Sequence, residues 1–220
     1  MIATFFLEIS MAFYILVRYI LTPSLRIAVA ILIMLSVFQL SEFGICEKYA
    51  LGGGDWAKIG FSAITLLPPL GLHMVYSLKS TSLKSRAIVL YVPAFLWIAT
   101  FVFGNIMLGQ GCSGNYVIFQ IRKPFDLLYY IWYDALLVYA IAKSWLQTRT
   151  TKDGRMRTAY WAIIVGYLAF IVPSIAVRLL FEFNDRSASA LPSIMCGFAV
   201  IFAGILTFRF APNSARQKKF

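Results

Sequence analysis

The chain has 220 residues, of which 60% are hydrophobic and 13% charged, with a formal net charge of +11. Its mean hydropathy is +0.78. So few charges cannot supply the wet face of a soluble domain, and the basic residues lie between apolar runs, which argues against a nucleic-acid binder.

A helix needs about 20 apolar residues to cross the hydrocarbon core. Runs of that kind predict helices near 2–20, 26–46, 58–78, 87–108, 125–146, 159–181 and 191–210. The expected fold is an all-α membrane protein: one domain, a bundle of seven transmembrane helices, N-terminus outside and C-terminus cytoplasmic. The opening run could pass for a signal peptide. It lacks a basic leading region and a small-x-small cleavage motif, and it carries Glu8, so it reads as a retained first helix.

Orientation follows from Lys and Arg. The loops after the first, third and fifth helices, with the tail, hold fourteen, among them Arg18, Arg26, Lys79, Arg155 and Lys219. The other side holds five: Lys48, Lys58, Arg122, Lys123 and Arg186. The richer side belongs in the cytoplasm. The loop after the fifth helix, with Arg149, Lys152, Arg155 and Arg157, is a candidate dock for a protein partner or for anionic lipid headgroups.

Within the spans, several residues carry possible chemistry. Gln39, Glu42 and Cys46 share one face of the second helix. Gly52, Gly53 and Gly54 read as a hinge before the third. Pro68 and Pro69 should break that third helix just before His73, the sole histidine. His73 reads as a proton or hydrogen-bond switch, or as a neutral imidazole bonded to a neighbouring helix. A single histidine rules out bis-His haem within one chain, and no cofactor or metal is expected. The loop at 109–124 suggests a hairpin or a lid, and Cys112 there could pair with Cys46.

Tyr130 and Asp134 are four residues apart on the fifth helix. Arg178 shares a face of the sixth with Ser174 and Glu182. Intramembrane charges such as Glu8, Glu42, Asp134 and Arg178 are costly and mark candidate sites. Of these, Glu42, Asp134 and Arg178, together with Gln39, His73 and Tyr130, suggest an outer polar cavity binding a small or lipid-like ligand. Structural hydrogen bonds, or an Arg178 that snorkels to the surface, are the competing readings. On the seventh helix Ser193, Gly197 and Gly204 line one side and Ala199 and Ala203 another, which favours close packing.

That helix has no lysine for a retinal Schiff base, and no P-loop, GxSxG, HExxH or CxxC pattern occurs. No enzyme activity is expected. A series of motifs then stands in order: Gln39-Leu-Ser-Glu42, Trp56-Ala-Lys-Ile-Gly-Phe, Leu67-Pro68-Pro69-Leu-Gly-Leu-His73, Tyr91-Val-Pro93, a tyrosine-rich fifth helix, and Leu191-Pro192. Over roughly 26–212 the chain resembles the seven-helix N-terminal sensor region of bacterial histidine kinases and related receptors. The resemblance implies a sensor in a bacterial cytoplasmic membrane that passes its signal to a cytoplasmic output. Here the chain stops at Phe220 without a kinase, so output through a separate partner is expected. The alternatives are a structural subunit of a membrane complex and a small transporter or channel.

Overall fold

The computed structural model describes residues 1–79, 84–113, 116–181 and 191–215; the side chains of 84–87, 113, 116, 118, 174, 175, 177–181 and 191–196 lie outside that description. The helices are α1 (Ile2–Arg18), α2 (Pro23–Cys46), α3 (Gly53–Thr65), α4 (Leu67–Leu78), α5 (Lys84–Phe103), α6 (Phe125–Thr150), α7 (Gly154–Phe181) and α8 (Leu191–Ile205). A π-helical turn, Leu206–Phe210, continues α8 into α9 (Ala211–Ser214). Two strands, β1 (Met107–Ser113) and β2 (Tyr116–Ile121), pair antiparallel, so the fold is mostly helical rather than all-α.

Every expected helix has a helical counterpart, and the corrections fall at the ends. α2 starts at Pro23, not near 26. Thr22 accepts a hydrogen bond from the Leu25 N–H at 3.4 Å, and a proline at the first helical position costs no needed donor. α5 stops at Phe103, short of the expected 108. The Gly104 N–H closes the last turn on Thr100 O at 2.9 Å, and Asn105 then turns left-handed, with φ 47°. The expected hinge glycines Gly53 and Gly54 instead form the first turn of α3. A Cβ at Gly53 would sit 2.9 Å from the Gln110 side chain, so β1 lies close against that turn.

Pro68 and Pro69 do interrupt the third helix. α3 ends at Thr65, and α4 restarts one residue later. Pro93 and Pro173 lie inside continuous α5 and α7.

Side-chain neighbours give the direction of each rod. Ser41 meets Gly60 and Trp56 meets Gly44, so α3 runs back along α2. Phe61 faces Phe101, and His73 bonds Tyr91, so α5 is antiparallel to α3 and α4. Thr65 bonds Tyr129 and Tyr76 bonds Tyr139, so α6 runs parallel to them. Tyr167 packs on Phe202, and Arg155 reaches Pro212, so α8 returns along α7. The hairpin therefore lies at one end of the bundle. Arg18, Arg26, Lys79, Arg155 and Arg209 lie at the other.

Among the described residues, five helical stretches are long and apolar enough to cross a membrane: Pro23–Cys46, Gly53–Leu78, Phe125–Thr150, Gly154–Pro173 and Gly197–Ser214. Ile88–Phe103 is a shorter apolar helix, and α1 is apolar over 17 residues. Large apolar side chains point outward around the bundle, among them Phe13, Phe95, Leu128 and Val172. So wide an apolar exterior belongs in lipid, and the chain is an integral membrane protein.

Candidate functional site

Among the described residues, three polar or aromatic centres lie inside the bundle. The first sits between α1 and α2 toward the hairpin end. Thr4 and Glu8 are one turn apart on α1; Gln39 and Glu42 face them from α2. The Thr4 hydroxyl donates to Gln39 Oε1 at 2.8 Å. Glu8, Gln39 and Glu42 are all buried, and both Glu8 carboxylate oxygens lack a hydrogen-bond partner among the described residues.

The second centre fills the break between α3 and α4. Thr65 Oγ1 donates to Phe61 O at 2.6 Å and lies 3.0 Å from the Tyr129 hydroxyl. Phe61, Trp97, Phe101, Tyr130, Trp132 and Tyr133 surround the buried Tyr129 ring, with centroids 5.1–6.1 Å away. The alternation of β2 buries Val117 and Phe119, and Phe119 plugs the hairpin end between Phe38 and Phe61. Cys46 and Cys112 are joined by a disulfide, Cα–Cα 5.5 Å, which fastens β1 to the end of α2.

The third centre is His73, whose Nδ1 lies 2.9 Å from the Tyr91 hydroxyl, with the rings edge to face. This is the neighbouring-helix bond that the lone histidine suggested.

The expected ligand set does not gather in one cavity. Gln39 and Glu42 face α1. Gly60 is level with Ser41, and a rise of 1.5 Å per residue puts His73 roughly 20 Å further along the bundle. Tyr130 and Asp134 are half-buried on α6 between those levels. The Arg178 side chain lies outside the described residues, as do Glu182 and the Cys196 side chain. On α8 the buried Ala199 and Ala203 make the close approach, whereas a Cβ at Gly197 or Gly204 would meet nothing within 4 Å.

A different cleft does have ligand dimensions. It lies between α2, α3 and α5, has a volume of about 440 Å³, and is lined by Met34, Val37, Ile59, Ser62, Ala63, Leu66 and Val102. Asp55 and Lys58 stand at its hairpin end. Pockets for small molecules span about 300–1,000 Å³. From Asp55 to Leu66 the cleft runs roughly 16 Å along α3, about half of a hydrocarbon core of ~30 Å. Its residues come from three helices, two from α2, one from α5 and the rest from α3 and the Leu66 that follows it, so no single sequence motif marked it.

At the opposite end, the four candidate docking residues divide. Arg155 donates to Pro212 O at 2.6 Å and to Ala215 O at 3.1 Å, so it clamps the turn after α9. Asp153 accepts from the Arg155 N–H at 2.9 Å, an N-cap for α7. The Arg149 guanidinium lies 5.1 Å from the Trp145 ring centroid. Lys152 and Arg157 are exposed. A cavity of about 330 Å³ between Thr22, Asp153, Arg155 and Asn213 borders the clamp. No known protein family, curated protein or solved structure matches the chain.

Proposed function

We propose that this is a sensor-like membrane protein of seven crossing helices, N-terminus outside, that holds a lipid-like ligand in its outer half and contacts a cytoplasmic partner through its basic end. The cleft between α2, α3 and α5 carries the reading. It is apolar over the depth of one leaflet, and it ends at a carboxylate and an ammonium, Asp55 and Lys58. An acyl chain fits the apolar stretch, and a zwitterionic headgroup complements the charged pair. The seven crossings and their polarity rest on the basic residues gathered at the end away from the hairpin. Lys152 and Arg157 are the exposed cations left for the partner. This is the division of labour that the resemblance to sensor regions implies.

The test is lipid analysis of full-length protein purified in native nanodiscs. Wild type should carry a stoichiometric amphiphile. Ser62→Trp, which fills the cleft from a half-buried position, should lose it, and Lys58→Glu should retain less. The same lipid content in a Ser62→Trp protein that elutes as folded material would reject the reading.

A further inference from the structure

One face of α6 points away from the bundle along its length, with Ile131, Ala135, Val138, Ala142 and Leu146 all exposed. Toward the basic end, two cation–ring pairs border that face. The Arg149 guanidinium lies 5.1 Å from the Trp145 ring centroid, and Trp161 of α7 packs edge-on against Trp145 at 5.3 Å. The Lys143 ammonium lies 5.3 Å from the Tyr139 centroid, and the Tyr139 hydroxyl is 3.4 Å from that of Tyr76 on α4. At 3.6 residues per turn, Ala142 and Leu146 fall between the two pairs. Neither cation forms an ion pair among the described residues. The acid closest in sequence, Asp153, caps α7.

We propose that the face between Arg149 and Lys143 binds the headgroup of an anionic glycerophospholipid in the leaflet at the basic end. α6 has 26 residues, a rise of roughly 39 Å against a hydrocarbon core of about 30 Å. Arg149, one residue from its end, therefore stands among headgroups, and Lys143 stands nearer the ester linkages, roughly 9 Å along the axis. Cations at that boundary need a counter-charge, and an aromatic face supplies only part of it. A phosphate supplies the rest: it accepts two parallel N–H bonds from a guanidinium and attracts an ammonium as a point charge. Each ring also holds its cation in place before a lipid arrives, which lowers the ordering cost of binding. The apolar face continues below the cations through Val138, Ala135 and Ile131, where acyl chains lie. That continuity commits the site to a lipid rather than to a dissolved phosphate. The site does not rest on the cleft between α2, α3 and α5, whose charged pair complements a zwitterion.

The experiment titrates the full chain in detergent with phosphatidylglycerol or phosphatidylcholine of the same acyl chains and counts bound lipids by native mass spectrometry. Arg149→Gln and Lys143→Gln should each weaken phosphatidylglycerol binding about fivefold and leave phosphatidylcholine unchanged. Lys79→Gln removes an exposed charge at the same end and should change neither. Ser62→Trp should keep the full response to Arg149→Gln, so failure of the cleft reading leaves this one standing. Excess soluble glycerol phosphate should not displace the lipid. Wild-type affinity for phosphatidylglycerol in Arg149→Gln overturns the site. So does an equal loss in Lys79→Gln, which would make the attraction one of overall charge, or displacement by glycerol phosphate. If Lys143→Gln does not fold, the exposed Arg149 decides alone.

Discussion

The Tyr129 phenol and the Thr65 hydroxyl lie 3.0 Å apart where two prolines part α3 from α4. Thr65 spends its own proton on Phe61 O, so Tyr129 is the donor between them. Tyr129→Phe should therefore cost about 1 kcal/mol, and Tyr129→Ala about 3–5 kcal/mol through the lost packing of a large ring. Thr65→Val should resemble Tyr129→Phe, and the double variant should cost less than the sum. Thermal melts of the four proteins decide this.

The disulfide should be detectable without a structure. Cys46 and Cys112 should resist maleimide until reduced. Cys46→Ser should lower stability by about 2–4 kcal/mol. On intact cells, an impermeant reductant followed by an impermeant maleimide should label Cys112. Labelling only after the membrane is breached would reverse the proposed polarity.

Gly60 is held by the Ser41 hydroxyl. A Cβ there would collide with Ser41 Oγ, and Ser41 Cβ and Phe38 would stand 3.2 and 3.3 Å away. Gly60→Ala should destabilise by about 1–3 kcal/mol. Ser41→Ala removes the colliding atom, so it should recover part of that loss. An equal cost in both backgrounds would remove Ser41 as the cause.

At the basic end, one cation should behave unlike its neighbours. Arg155→Ala should speed hydrogen exchange across 211–215 and leave α3 unchanged. Lys152→Glu with Arg157→Glu should abolish recovery of a cytoplasmic partner while the same segment stays protected. Unchanged recovery would sink the docking role.

The helices were legible because a membrane imposes a period and a length on the apolar runs. The break at Pro68 and Pro69 was legible because proline removes donors whatever surrounds it. The Cys46–Cys112 bond and the hairpin were open possibilities in the sequence, and the structure contains both. What stayed hidden is long-range. The cleft between α2, α3 and α5 joins one stripe of α3 to Met34, Val37 and Val102, and the Arg155 clamp closes on residues 57 and 60 positions away; neither pairing is visible in a local pattern. Polar residues also misled. Gln39, Glu42 and His73 looked like one lining because all are intramembrane, yet depth along the bundle and the facing helix separate them.

The hairpin also sets an order of assembly. Its covalent tie reaches only to Cys46, made earlier in the chain, while β2 packs against α8, made later. During synthesis the bond can form before α6, α7 and α8 are made. The membrane-insertion machinery would then hold a tethered plug over an unfinished bundle, with Phe119 already between Phe38 and Phe61 before α8 closes against β2.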